Sequence, residues 1–305
     1  MKIAIIGAGA MGSLYGGLLA EGGQEVLLVD VWQEHVDTIN QWGLSMEGVN
    51  GHRTIKNIKA TTNPSYAEAM DLVIVFVKST ITHIAVSQHK KLCDNNTTVL
   101  TLQNGLGNIE KIMETIDKKN IIAGTTAQGC TLLAPGKINH AGVGDTYIGE
   151  LDGTTSPRIK EIHKAFTAGG LKTNISNNVL GLIWGKLLVN VGINALTAIT
   201  NLRNGQLVEF EETEELLELA VEEALAVAMA RGIELPYGDP VAHTKKICRA
   251  TALNKSSMLQ DLLNKRKTEI AMINGAVVTE GEKLGVKTPV NKVLTNLITV
   301  LEKNQ

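Results

Sequence analysis

The chain opens with a short β-branched strand that runs into a glycine-rich turn and a helix, in the segment KIAIIGAGAMGSLYGGLLAEGG. Gly7, Gly9 and Gly12 have the G-x-G-x-x-G spacing. In this context the first glycine permits a tight turn, the second lets the backbone approach a pyrophosphate, and the third lets the helix pack close to the strand. The free amides at the helix N-terminus favour phosphate. The segment therefore predicts a dinucleotide-binding fold, with cofactor contacts from Gly7, Gly9, Ala10, Met11 and Gly12.

Apolar strands alternate with helical stretches through the first half of the chain. The strands read EVLLVD, DLVIVFVK, TTVLTLQNG and NIIAGTTAQ, and stretches such as THIAVSQHKKLC and NIEKIMETI separate them. This alternation indicates a parallel sheet with helices on both faces. We expect residues 136–151 to form an antiparallel hairpin that extends the sheet edge, followed by a helix over 157–168 and a short strand LKTNIS.

Strand signals end at about residue 177, and helical patterns cover about 179–200, 211–232 and 266–284, with a last helix after Pro289. The predicted fold class is therefore α/β: an N-terminal Rossmann-type doubly wound sheet followed by an all-α C-terminal domain. We expect the dinucleotide-binding domain to span 1–177 and a helical substrate and catalytic domain to span 178–305.

Three residues lie just past predicted strand ends, where open α/β sheets bind ligands. Asp30 closes the second strand and is suited to accept hydrogen bonds from ribose hydroxyls and to disfavour a 2′-phosphate. Lys78 and Asn104 follow later strands, and Lys78 or Arg53 could supply positive charge to a phosphate. The alternatives are that Asp30 is a cap or turn residue and that Asn104 belongs to an Asn-Gly turn.

A polar stripe interrupts the apolar segment WGKLLVNVGINALTAIT. Lys186, Asn190, Asn194 and Thr197 are spaced by four, four and three residues, which places them within roughly 80° on one helix face. A buried ammonium needs partners or loses its proton, so this stripe is typical of the lining of a polar cleft. Alternatively, Lys186 extends to solvent and the asparagines cap neighbouring helices.

The segment NKSSMLQDLLNKRKTEIAMING carries the remaining candidates, Asn254, Ser257 and Glu269. A lysine and a carboxylate that converge on one cleft hold each other charged and oriented, as a proton-donating lysine requires. Spacing alone does not establish that Lys186 meets Glu269. The alternative is that Glu269 caps the chain near Thr268 or forms a surface salt bridge.

Composition argues against several classes of protein. The net charge of −2 and the mixed charge distribution give no basic stripe for nucleic acid. We expect no membrane partner, because no apolar run reaches about 18 uninterrupted residues and the N-terminus opens on a strand. The histidines lack metal-binding spacing, and three widely separated cysteines indicate reduced thiols in a cytoplasmic protein: Cys93, Cys130 and Cys248.

Over nearly its whole length the sequence resembles the ketopantoate reductase family, through IAIIGAGAMGSLYG, LQNGLG, KLLVNVGINALTAI, NLRNG and SSMLQDLLNKRKTEIAMINGAV in that order. The resemblance implies that Lys186 is the proton donor and that Glu269 is the carboxylate that orders it. It further implies that Asn190 and Asn194 line the substrate cleft and that Ser257 holds the substrate carboxylate.

The same resemblance places Asn254 near the substrate, Asn104 between cofactor and substrate, and Lys78 near the cofactor. The implied reaction reduces 2-dehydropantoate (ketopantoate) to D-pantoate with hydride from NADPH, a step of pantothenate biosynthesis. Members that use NADPH often carry an arginine just after the second strand, whereas this chain has Asp30, so NADH is an alternative cofactor.

Two rival functions stay open. One is an NAD-dependent D-2-hydroxyacid dehydrogenase that acts on branched 2-keto acids, and the other is a non-catalytic NAD(P)-binding sensor. The sensor is disfavoured because Lys186, Asn190, Asn194, Ser257 and Glu269 occur together. In each case the expected partner is a small molecule, for the enzymes a 2-keto acid, and the sequence leaves a homodimer open.

Overall fold

A computed structural model describes residues 1–304. The chain divides into two compact units. The first comprises Met1–Gln103 and Asn108–Val179, and the second comprises Asn104–Gly107 and the chain from Leu180 onward. The short loop Asn104–Gly107 therefore belongs with the helices of the second unit, although it lies between two strands in sequence.

The first unit contains a sheet of eight strands, in the order β12 (Thr173–Ile175), β11 (Thr146–Glu150), β8 (Ile121–Thr126), β7 (Thr98–Thr101), β6 (Leu72–Val75), β1 (Lys2–Ile6), β2 (Glu25–Val29) and β5 (Lys59–Thr61). The run from β5 to β8 is parallel throughout and has the 3-2-1-4-5-6 order of a doubly wound dinucleotide fold. The predicted fold class is thus confirmed. The other strands are β3 (Leu44–Gly48), β4 (Arg53–Ile55), β9 (Gly129–Ala134) and β10 (Lys137–Gly142).

Helices cover both faces of this sheet because its strands are apolar on both sides. In β1, Ile3 and Ile5 join one core cluster, whereas Ala4 and Ile6 face the other, as the two-residue period of a strand requires. The helices of this unit are α1 (Ala10–Glu21), α2 (Gln33–Trp42), α3 (Thr82–Gln88), α4 (Asn108–Met113) and α5 (Pro157–Ala168), with 3₁₀ turns at Ser79–Ile81, Lys90–Leu92 and Lys118–Asn120.

The prediction of one hairpin over 136–151 is wrong. Strand β10 pairs with β9 and β3 in a separate sheet of order β4-β3-β10-β9, while β11 pairs antiparallel with β8 and extends the main sheet. The glycines in this segment indicate where strands end, but they do not determine which strand each one pairs with. The partner of β11 is set by packing instead, since Thr146 on β11 is fully buried and its hydroxyl lies 2.6 Å from the Tyr15 hydroxyl on α1.

The second unit is helical. Its helices are α6 (Val179–Thr200), α7 (Glu211–Ala230), α8 (Pro240–Ala250), α9 (Ser257–Leu263), α10 (Asn274–Leu284) and α11 (Pro289–Lys303), with 3₁₀ turns at Asn204–Val208 and Ile270–Met272. Within residues 1–304, α6 alone is long and apolar enough to cross a membrane by length and composition. Most of it is buried, and residues such as Leu188, Val191 and Leu196 lie in the core of this unit, which is the environment of a core helix.

The predicted helix over 266–284 is wrong in its first half, because α10 begins only at Asn274. Lys265, one residue before the predicted start, has a positive φ of 52° and belongs to the turn that ends α9. The backbone amide and hydroxyl of Thr268 both donate to Glu302 Oε1, at 2.7 and 2.6 Å. These contacts from α11 replace the helical hydrogen bonds that the sequence pattern predicted.

Candidate active site

The glycine-rich loop after β1 leaves open space where a pyrophosphate would lie. Gly7 has φ +95°, and a Cβ there would come within 2.8 Å of the Val77 amide nitrogen. A Cβ on Gly12 would lie 1.8 Å from the Gly7 carbonyl oxygen, whereas a Cβ on Gly9 would meet nothing within 4 Å. Helix α1 starts at Ala10 without a side-chain cap. Open space over Gly9 and uncapped helix amides fit the phosphates of a dinucleotide cofactor.

Asp30 lies against the same loop. Its Oδ2 accepts a hydrogen bond from the Ala8 amide at 2.7 Å, and its Oδ1 accepts one from the Trp32 amide at 3.0 Å. Asp30 is therefore a turn residue that also fixes the loop, and each oxygen keeps acceptor capacity for a ribose hydroxyl.

Arg53 lies away from this loop and pairs with a carboxylate at the far end of α1, which lends no support to its suggested role at a phosphate. Its Nε donates to Glu21 Oε1 at 2.7 Å. Glu21 is the last residue of α1, about 17 Å along the helix from its first residue. The side chain of Lys78, directly before the 3₁₀ turn Ser79–Ile81, is exposed.

A buried series of hydrogen bonds holds the Ala8 carbonyl of the glycine-rich loop, and no sequence pattern indicated it. The Gly136 amide donates to His35 Nδ1 at 3.0 Å, His35 Nε2 lies 3.2 Å from Ser13 Oγ, and Ser13 Oγ donates to the Ala8 carbonyl at 2.7 Å. His35 accepts at Nδ1, so its proton sits on Nε2 and the ring is neutral. Burial lowers the pKa of His35, against a smaller opposing effect of Asp30.

The polar stripe of α6 runs from half-buried to buried. Lys186 and Asn190 are half-buried, while Asn194 and Thr197 are buried. Burial of the Lys186 ammonium lowers its pKa to about 8, and the negative charge of Glu269 acts in the opposite direction. The structure thus brings Lys186 and Glu269 near enough for their charges to interact, which spacing alone could not establish.

Glu269 starts the 3₁₀ turn Ile270–Met272, and the loop of Asn104 packs on this turn. The Leu106 amide donates to the Met272 carbonyl at 2.9 Å. Gly105 has φ +79°, and a Cβ there would lie 2.3 Å from the same carbonyl oxygen. The chain bends at Asn104–Gly107, and this loop carries Asn104 to the part of the helical unit that holds Glu269.

Asn254 and Ser257 are both exposed and lie on either side of Ser256. The Asn254 carbonyl accepts a hydrogen bond from the Asn204 amide at 3.0 Å, which ties its segment to the NLRNG turn after α6. Ser257 is the first residue of α9, and Ser256 caps that helix by accepting from the Leu259 amide at 3.1 Å.

A doubly wound sheet with an open glycine-rich loop, together with a lysine and glutamate whose charges interact in a helical unit, defines a nicotinamide-dependent oxidoreductase. The family profile of ketopantoate reductase PanE/ApbA matches residues 3–153, and that of its C-terminal part matches residues 178–302. The chain belongs to the ketopantoate reductase family. It is an NAD(P)H-dependent reductase of a 2-keto acid, as the sequence predicted.

Relatives and solved structures agree with this membership. The chain is 36% identical to the 2-dehydropantoate 2-reductase of Halobacterium salinarum, with 100% of both chains covered. It is 36% identical to that of Pyrococcus horikoshii, over 99% of this chain and 98% of the relative. A ketopantoate reductase from Ralstonia eutropha superposes with a TM-score of 0.92 at 34% identity, covering 100% of this chain and 99% of the other.

A second structural neighbour is D-mandelate dehydrogenase in complex with NADH and anilino(oxo)acetate. It superposes with a TM-score of 0.92 at 32% identity and covers 100% of this chain and 99% of the other. This neighbour shows that a nicotinamide cofactor binds to a chain of this fold. The predicted class of cofactor is therefore confirmed.

Proposed function

We propose that the chain reduces ketopantoate to D-pantoate, the step of pantothenate biosynthesis after which its family is named. Residues 1–177 form the dinucleotide-binding domain, and residues 178–305 form the domain that binds the keto acid and supplies the proton. The observation that carries this proposal is the half-buried Lys186 on α6, whose pKa of about 8 is set by burial and by Glu269.

The bound nicotinamide supplies the hydride to the C2 carbonyl carbon of the keto acid. Gly7, Gly9, Ala10, Met11 and Gly12 would hold its pyrophosphate, and Asp30, Lys78 and Asn104 complete the set of cofactor contacts. Open space over Gly9 and the position of Asp30 against Ala8 support this assignment.

Lys186 acts as the general acid. As the carbonyl becomes an alkoxide, the Lys186 ammonium donates a proton to its oxygen and is left as a neutral amine, which regains a proton from water. Glu269 favours the charged ammonium and so keeps Lys186 protonated near neutral pH. A lysine with a pKa of about 8 is both mostly protonated at pH 7 and a better donor than an exposed lysine.

Amide and hydroxyl groups on the same unit orient the substrate. Asn190 and Asn194 follow Lys186 by one and two helical turns, so their amides are suited to bind the hydroxyl and carboxylate oxygens of the keto acid. Ser257 at the start of α9 donates to the substrate carboxylate, with Asn254 nearby and Asn104 at the boundary of cofactor and substrate. Holding the carbonyl in one orientation lowers the entropic part of the barrier.

A second candidate is a D-2-hydroxyacid dehydrogenase that uses NADH and branched 2-keto acids. Asp30 favours it, because a carboxylate fixed beside the glycine-rich loop repels a 2′-phosphate. The neighbour D-mandelate dehydrogenase, solved with NADH, is the structural parallel.

One kinetic panel tests these candidates. Values of kcat/KM are measured for ketopantoate and for 2-ketoisovalerate, each with NADPH and with NADH. The proposal expects ketopantoate to be the better substrate by at least tenfold with its preferred cofactor. A preference for 2-ketoisovalerate would assign the second candidate, and cofactor binding without turnover of either keto acid would assign the non-catalytic sensor.

We further propose a cytoplasmic enzyme that binds neither nucleic acid nor membrane, with a homodimer as its candidate assembly. The near-neutral net charge of −2 and three free cysteines support the first part. Light scattering of the purified protein determines its assembly.

A further inference from the structure

Thr197 is the fourth member of the polar stripe and has no part in the proposed chemistry. Its side chain is fully buried, and its hydroxyl donates to Ser256 Oγ at 2.7 Å. The Ile193 and Asn194 carbonyls also lie within hydrogen-bond distance, at 2.9 and 3.0 Å. A hydroxyl has one proton to donate, so the bond to Ser256 replaces the carbonyl bond by which a helical threonine commonly satisfies its hydroxyl, and it reaches another segment of the chain.

Ser256 passes this contact to α9. Its Oγ accepts from Thr197 and from the Leu259 amide, and it is buried with 6% of its surface exposed. Ser257 follows immediately as the first residue of that helix. The backbone position of Ser257 therefore follows that of Ser256, since one peptide unit joins them.

Residues 251–254, which precede Ser256, are held by other hydrogen bonds. The Arg203 guanidinium donates to the Leu253 carbonyl at 2.6 Å, and the Asn204 side chain donates to Thr251 Oγ1 at 2.9 Å. These contacts secure residues 251–254 from the turn after α6. Thr197 is the contact from α6 itself, the helix that carries Lys186, to the residue adjacent to Ser257.

We infer that Thr197 is a positioning residue that acts through Ser256 to set the distance between Ser257 and the polar groups of α6. This inference rests on the proposed role of Ser257 in binding the substrate carboxylate. One hydrogen bond thus couples the residue that holds one end of the keto acid to the helix that protonates its carbonyl oxygen. Thr197 touches neither substrate nor cofactor in this mechanism.

The test compares steady-state constants of the full-length enzyme. Thr197→Val keeps the shape of the side chain but removes the hydroxyl, and we expect the KM for ketopantoate to rise about fivefold, the loss equivalent to one ordinary hydrogen bond. The KM for the nicotinamide cofactor stays unchanged. Thr197→Ser, which keeps the hydroxyl, returns the KM for ketopantoate to the wild-type value.

Thr244→Val is the matched control. Thr244 is also fully buried in a helix and donates to a carbonyl one turn earlier, that of Pro240, but it lies on α8 and has no bond to Ser256. We expect this variant to lose a similar amount of thermal stability and to keep the wild-type KM for ketopantoate. An equal rise in both valine variants would reduce Thr197 to a structural residue and overturn the inference.

Two further variants keep the outcomes distinct. Ser256→Ala raises the KM for ketopantoate, and adding Thr197→Val to it causes no further rise, because both act through one bond. Ser257→Ala measures the proposed function itself. If Ser257→Ala raises this KM while Thr197→Val and Ser256→Ala do not, the inference fails and the role of Ser257 stands. If Ser257→Ala leaves the KM unchanged, the role of Ser257 fails and the inference falls with it.

Discussion

Burial and Glu269 act on Lys186 in opposite directions, and burial has the larger effect, so that the pKa of the lysine falls to about 8. An exposed lysine holds its proton near pH 10 and is a poor donor at neutral pH. A lysine buried without a counter-charge is a better donor but is less often charged. The pair therefore gives a proton donor that is both charged and reactive near neutral pH.

Removal of the lysine is the first test of this chemistry. We expect Lys186→Ala to lower kcat for ketopantoate reduction by about 10² or more, the usual effect of losing a general acid. Cofactor affinity stays unchanged, and a small primary amine added to the assay restores part of the rate. Lys160→Ala, at an exposed position of α5, serves as control and turns over normally. Near-normal kcat in Lys186→Ala would remove Lys186 from the mechanism.

The pH dependence of reduction follows from the same pKa. The acid form of Lys186 is the charged ammonium, so kcat is constant well below pH 8 and falls as the pH rises through about 8. Glu269→Gln removes the charge that raises this pKa, and the descending limb moves to lower pH. The measurement is a pH–rate profile of both enzymes at saturating substrates. If the descending limb of the pH–rate profile lies at the same pH in Glu269→Gln as in the wild type, the carboxylate does not act on Lys186.

His35 predicts a different pH effect, on stability. Its pKa is lowered by burial, so the unfolded chain binds the proton more readily than the folded protein. The stabilisation is fully present above the unfolded pKa of about 6.5 and is lost as the pH falls below it. Protonation at Nδ1 would also oppose the Gly136 amide that now donates there.

Urea unfolding at pH 7.5 and pH 5.5 checks this prediction with the variant His35→Gln, which does not titrate. We expect the wild type to lose more stability than His35→Gln on acidification. The other histidines are common to both proteins, so the difference between the two losses reports His35. Equal losses would mean that His35 does not contribute to the acid sensitivity of the fold.

Glu223 on α7 caps a neighbouring helix. Its carboxylate accepts from the Val290 and Asn291 amides in the first turn of α11, at 2.8 and 2.9 Å, and from Asn291 Nδ2 at 2.7 Å. Glu223→Ala leaves the two backbone amides without this acceptor, while Asn291 Nδ2 keeps its bond to the Ala220 carbonyl, and it lowers the free energy of unfolding by about 1–3 kcal/mol. Chemical denaturation measures the loss, and Glu222→Ala, at the adjacent exposed position, changes it by less than about 0.5 kcal/mol.

The sequence predicted those features that local pattern determines. The glycine spacing and the strand periodicity led directly to the loop after β1 and to the parallel sheet, and the bounds of α5 and α6 were predicted to the residue. The sequence pattern gave wrong predictions where a side chain distant in sequence forms hydrogen bonds with the backbone or where packing selects the partner of a strand. Glu302 draws Thr268 out of the predicted helix, and the partner of β11 depends on contacts that its own residues do not encode.

In the site, too, local spacing was predictable and contacts between residues distant in sequence were not. Spacing placed Lys186, Asn190, Asn194 and Thr197 on one face of α6, because helical geometry alone decides that. It could not bring Glu269 to Lys186 or connect Thr197 to Ser256, since 83 and 59 residues separate those pairs in sequence. The series of hydrogen bonds from Gly136 through His35 to Ser13 also joins residues that are distant in sequence.

The loop Asn104–Gly107 gives the chain an unusual order of connection. The chain leaves the first unit after Gln103, contributes four residues to the second unit, returns at Asn108, and leaves again after Val179. A single cut after Val179 would therefore give an amino-terminal fragment that holds its whole unit plus four residues of the other, and a carboxy-terminal fragment that lacks those four residues. The amino-terminal fragment would carry Leu106 without the Met272 carbonyl that receives its amide, and the carboxy-terminal fragment would lack Asn104 altogether.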